Sequence, residues 1–217
     1  MRSDVKIRTL SLLIVLIISI FPLVLNSIYL FITDNVTERS SDFQFIYSII
    51  WEIFSLGILY FVLKNQKRDF KTIGFEFRKT DLLHGIILFF GIYMILIIAL
   101  AISPNFGQTP KNIDFIKTNV SIFYLLFIII NPFFEELIVR AYTITEAKYL
   151  LKNEEVSVLI STLIQTSYHL YQGLIPALYA GIMFFVFSIY FVKSRRIVPV
   201  IIVHLFFDFM AMFELGT

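Results

Sequence analysis

The chain alternates long apolar runs with short charged ones. Runs near the roughly 20 residues a helix needs to cross a bilayer core recur near 9–32, 43–63, 82–102, 120–142, 156–171, 174–192 and 197–213. The last three are shorter than that length. None shows the period-2 alternation of a barrel strand, so each reads as a helix. The pattern predicts an all-α, polytopic membrane protein with about seven transmembrane helices. The first run, "TLSLLIVLIISIFPLVLNSIYLFI", exceeds the roughly 7–15 residues of a signal-peptide core, and no small-x-small cleavage site follows it. It is expected to persist as a span with Pro22 as a kink.

The segments between the runs alternate in charge. "MRSDVKIR", "KNQKRDFKTIGFEFRKTD", the region from Arg140 to Lys152 and "VKSRR" are rich in Lys and Arg, whereas "TDNVTERSSD", "SPNFGQTPKNIDFIKTN" and "YQGLIP" are poor in them. The positive-inside rule places the basic loops, and with them the N-terminus, in the cytoplasm and the C-terminus outside. The location expected is the cell membrane, with several passes. The 64–81 loop carries Phe70, Ile73, Phe75 and Phe77 among its charges. It reads either as an interfacial segment or as an ordinary solvated loop.

Composition strengthens this picture. Of 217 residues 58% are hydrophobic and only 16% charged, against about 25% in a soluble domain. A net charge of +2, without a basic block interleaved with aromatics, gives no sign of a nucleic-acid partner. The absence of cysteine excludes disulfides, thiolate zinc sites and a cysteine nucleophile.

Ionisable groups inside spans are expensive and mark function by default. Glu52, in the second run, reads as a packed structural residue, His84 as an interfacial one, and Glu154 and Glu155 as a solvated pair beside Lys152. The remaining polar groups gather in the C-terminal half: Glu135, Glu136, Arg140, His169, His204 and Asp208. Glu136 and Arg140 are four apart and can pair on one helix face, as can His204 and Asp208. Glu135 then falls about 100° round the helix from Glu136. Counting from an outer boundary near Val120, Glu135 lies roughly 22 Å deep. His204, counted from Ile197, lies roughly 10 Å from the cytoplasmic side. His169 joins them only if its helix begins in water or a cavity reaches it. Pro132 withholds a backbone N–H just before the glutamates and loosens the helix there.

A carboxylate beside a histidine can hold and deprotonate a water, and a second histidine can donate to a developing oxyanion. Two histidines, a glutamate and an aspartate also make a zinc ligand set. The residues accommodate either version, a divalent metal such as zinc or a metal-free, glutamate-dependent hydrolysis. H-E-x-x-H, G-x-S-x-G, Gly-x-Gly-Asp, a P-loop and G-x-G-x-x-G are all missing.

"EELIVR" (135–140), "QTSYHLYQG" (165–173) and "VPVIIVHLFFDF" (198–209) together resemble the CAAX protease and bacteriocin-processing (CPBP, or Abi) membrane proteins. Their hallmarks are E-E-x-x-x-R, F-x-x-x-H and H-x-x-x-N/D on successive spans. Gln165 stands where the family has Phe. The resemblance implies a type II CAAX prenyl endopeptidase-like core at 118–217, following N-terminal helices and a cytoplasmic interfacial loop at 1–117. It implies Glu135 as the water-activating base assisted by His169, with His204 and Asp208 stabilising the oxyanion and Glu136 and Arg140 as structural support. If a metal is used, Glu135, His169, His204 and Asp208 are its candidate ligands. An ionised Asp208 cannot donate a hydrogen bond as the family's Asn can, so it must orient His204, stay protonated or ligate a metal. The implied partners are a peptide or membrane-protein substrate and the lipid bilayer. The other readings are a non-proteolytic bacteriocin-immunity or scaffold protein, and a proton-coupled transporter. Against the transporter, the two halves of the chain show no repeat.

Overall fold

The structure, a computed structural model, describes residues 2–33, 41–102 and 121–214. The boundary near Val120 and most of the two charge-poor loops at 33–42 and 103–119 lie outside the described residues. Among those described, every regular element is helical. The chain begins with α1 (Arg2–Ser19) and α2 (Phe21–Thr33), bent by 44° against each other. The bend falls just before Pro22, whose ring cannot donate the N–H that would continue the ladder. Next come α3 (Asp42–Asn65) and α4 (Asp81–Ile102). Ser41 and Gln44 close a capping box at the start of α3, satisfying two orphan N–H groups.

Between α3 and α4 the 66–80 segment turns back on the bundle. A 3-10 turn at Phe70–Ile73 buries Ile73, while Phe77 stays exposed. Gly74 ends that turn at φ 89°, and a Cβ there would stand 2.8 Å from the Arg195 carbonyl oxygen. Only glycine allows this approach, through which the Ile197 N–H reaches the Gly74 carbonyl at 3.2 Å.

The C-terminal half holds α5 (Ile122–Phe134), a π-helical stretch (Glu135–Tyr142), α6 (Thr143–Leu151), α7 (Glu154–Ser167), α8 (Leu174–Ser194) and α9 (Val198–Glu214). The expected span at 120–142 thus continues without a break as Ile122–Leu151. The basic region from Arg140 to Lys152 is a helix rather than a loop, with Arg140, Thr143, Ile144, Glu146 and Ala147 buried. Four helices are long and apolar enough to cross a membrane, or five if the bent α1–α2 pair is one span. The protein is therefore a multi-pass membrane protein. α7, at 14 residues, and α9, at 17, fall short of a full crossing by length. Among the described residues four to five spans thus qualify by length and composition, with α7 and α9 as shorter helices beside them.

α3 packs on α5, α4 on α9, α6 on α7 and α7 on α8. A Cβ at Gly181 of α8 would meet Thr166 Oγ1 of α7 at 2.8 Å. Small residues of this kind let apolar helices approach where burial from water gives no drive. Phe134, Phe184, Phe187 and Phe191 are fully buried in one core with Ile138 and Tyr142 of the π-helical stretch.

Candidate active site

The π-helical stretch carries both glutamates and the arginine. Such widened turns favour functional sites because they displace side chains from α-helical register. Here the residues do not sort onto separate faces as an α-helix would arrange them. Glu136 pairs with Arg140 as the i,i+4 spacing expects. Glu136 Oε1 also accepts the Nδ1–H of His204 at 2.8 Å. Glu136 is thus more than the arginine's counter-ion, because it also fixes the histidine ring. Glu135 approaches the same ring from its other side, with Oε2 3.7 Å from Nε2. Asp208 Oδ1 stands at 3.7 Å from that Nε2 as well. Glu135, Glu136 and His204 are all buried, whereas the Asp208 side chain is 29% exposed.

Gln165 of α7 occupies the position of the motif's Phe. It is fully buried. Its Nε2 donates to Glu135 Oε2 at 2.9 Å and, more weakly, to Glu136 Oε1 at 3.4 Å, and its Oε1 accepts from Arg140 Nη2. Arg140 further donates to Ser188 Oγ and the Phe184 carbonyl, both at 3.3 Å, and its guanidinium lies over Phe187. A buried charge survives only when its donors and acceptors are matched, and here Gln165 completes the set. The sequence signal was available, since a Gln inside a membrane helix is itself costly.

His169 sits in the turn that ends α7. Its Nδ1 lies 2.8 Å from the Gln165 carbonyl oxygen. A carbonyl only accepts, so Nδ1 carries the hydrogen and the neutral ring keeps Nε2 as an acceptor. His169 is within electrostatic range of Glu135 and His204 but bonds to neither among the described residues. Its helix starts at Glu154, and Glu154 and Glu155 are exposed there. His84 bonds to Tyr190 at 3.0 Å, away from this cluster. Glu52 is buried, bonded to Asn131, and lies within electrostatic range of Glu135 and Asp208.

Glu135, Glu136 and His204 bring ligand atoms within 4.8 Å of one another. Glu136 is already engaged by Arg140 and by the Nδ1–H of His204, which makes it a poor ligand. The better donors are Glu135 Oε2, His204 Nε2 and Asp208 Oδ1. Their 3.7 Å separations from Nε2 are near the about 3.4 Å between two ligands on a tetrahedral zinc. Neither Asp208 nor His169 joins the group whose ligand atoms all lie within 4.8 Å of one another, so Glu135 and His204 are the pair best placed to share a cation or a water. Two apolar cavities, of about 370 and 290 Å³, lie between α3 and α5 and between the α1–α2 bend and α7. None of the cluster lines them.

A buried carboxylate–imidazole cluster inside a multi-pass helical bundle is the class of protein this fold and site define. A family model described as type II CAAX prenyl endopeptidase Rce1-like matches residues 117–210. That stretch takes in α5 to α9 up to Met210 and all six cluster residues predicted from the sequence, and it leaves Glu52 outside. The resemblance drawn from the three motifs holds over these residues, and the family is one of proteases. No curated protein and no solved structure matches the chain.

Proposed function

We propose that the protein is an intramembrane endopeptidase in which Glu135 activates the attacking water. The observation that carries this reading is the division between two adjacent glutamates. Glu136 is neutralised by Arg140, while Glu135 Oε2 and His204 Nε2 lie 3.7 Å apart, too far to bond each other directly, and so are left to share a water. Glu135 takes a proton from that water as its oxygen bonds to the scissile carbonyl carbon. The same proton then passes to the leaving amine as the C–N bond breaks. His169, through Nε2, helps to hold the water. With Nδ1–H committed to Glu136, His204 donates to the oxyanion only as an imidazolium, flanked by Glu136, Glu135 and Asp208. Asp208 orients that ring. Were a divalent cation used, Glu135 and His204 Nε2, with Asp208 beside that nitrogen, would hold it, and the chemistry supplied would be Lewis-acid activation of the water.

The proposed topology has seven passes, with α7 and α9 completing the count inside the bundle and residues 118–217 as the catalytic core. Support for a cytoplasmic N-terminus is that the four basic segments meet. Arg8 and Arg68 both bind Glu146, Arg195 reaches Thr145, and Arg196 binds Asp81 and Thr80. The substrate class is a peptide or membrane polypeptide, bacteriocin processing or self-immunity being one setting.

The test is cleavage of a peptide library by full-length protein in nanodiscs, comparing wild type with Glu135→Gln, His169→Ala and His204→Ala. Loss in all three is expected. Full activity in all three overturns the assignment. Bacteriocin resistance without cleavage, unaffected by Glu135→Gln, would replace it with the scaffold reading.

A further inference from the structure

α3 brings one ionisable side chain into the interior, and none of the three motifs includes it. Glu52 lies midway along the helix and is 4% exposed. Asn131 Nδ2 donates to its Oε1 at 3.1 Å, while Oε2 has no hydrogen-bond partner among the described residues. Asn131 precedes Glu135 by four residues on a continuous helix, so the two share a face one turn apart. The Glu52 carboxylate is close enough to Glu135 and Asp208 to interact with their charges. The Glu52 carboxylate thus comes within charge range of the cluster from a helix outside the matched region.

A buried acceptor without a donor is destabilising, and each such group in a folded protein calls for a partner. Of the cluster's buried carboxylates, Glu136 is engaged by Arg140 and His204 and Glu135 by Gln165, while Asp208 is partly exposed. A peptide entering an apolar slab meets the converse problem, because its own N–H groups lose water. We propose that Glu52, held by Asn131, is a positioning residue that accepts a hydrogen bond from a backbone N–H of the peptide bound at Glu135. This rests on the peptidase reading above. Glu52 takes no part in bond making or breaking. It fixes the register of the peptide against the base, so its loss is expected in KM before kcat.

The probe is a set of internally quenched decapeptides, each cleaved by wild type, in which single amides near the scissile bond are replaced by esters. An ester oxygen keeps the chain's shape and removes one N–H. Wild type is expected to show one ester position that raises KM about tenfold, and Glu52→Leu is expected to make no distinction there. Glu52→Gln keeps the size and the Asn131 contact, so it covers the case in which Glu52→Leu does not fold. Its single remaining oxygen cannot serve both partners, and the ester penalty should shrink. A structural role would lower thermal stability without altering the ester pattern. If every ester penalty is the same in wild type and both variants, Glu52 does not contact the peptide. If no internally quenched decapeptide is bound or cleaved by wild type, the peptidase reading fails and this inference with it.

Discussion

α4 and the continuous helix Ile122–Leu151 both qualify as membrane spans, yet they differ in what surrounds them. In the most apolar stretch of α4 only 17% of residues are buried within the protein, against 44% in that of Ile122–Leu151. α4 turns Leu83, Ile87, Phe90 and Met94 outward. Ile122–Leu151 turns Glu135, Glu136, Arg140 and Glu146 inward. Apolar composition locates the bilayer. Burial by protein locates the chemistry, because only there can charges find enough partners to stay in the slab.

Removing one partner from the buried pair should separate the two helices most. Arg140→Met leaves Glu136 charged and without its cation, and a stability loss of about 3–5 kcal/mol is expected, read as a lowered melting midpoint in detergent. Gln165→Leu deletes the bridge among Glu135, Glu136 and Arg140. It should lose about 2 kcal/mol and slow cleavage by misplacing Glu135. Glu146→Gln weakens the contacts to Arg8 and Arg68, whose side chains are 15% and 16% exposed. Water can reach those arginines, so about 1 kcal/mol is expected, with cleavage retained. Ile87→Val, on the outer face of α4, should shift stability by less than about 0.5 kcal/mol. A loss at Ile87 as large as that at Arg140 would erase the contrast.

The spans α3, α4 and α8 fall within two residues of the windows expected at 43–63, 82–102 and 174–192. Long, uninterrupted apolar runs leave little alternative to a helix. The continuation through α6 was hidden because Glu146 and Lys148 read as loop residues. What buries Glu146 is Arg8 and Arg68, which lie 138 and 78 positions away. The site was legible as residue types and spacings: Glu136 with Arg140, and His204 with Asp208. The π-helical stretch was not, since a local repeat cannot announce a widened turn. Within it Glu135 and Glu136 reach opposite nitrogens of one imidazole. Gln165 was visible only as an exception to a motif, because its partners lie 25 to 30 positions away.

Two adjacent glutamates with different tasks are the centre of this proposal. The most direct test measures cleavage and melting midpoint side by side for Glu135→Gln and Glu136→Gln in nanodiscs. Glu135→Gln should lose about 10²- to 10⁴-fold in turnover with its midpoint nearly unchanged, whereas Glu136→Gln should lower the midpoint by releasing Arg140 and His204. Cleavage by Glu135→Gln at the wild-type rate would contradict the assignment of Glu135 as the base.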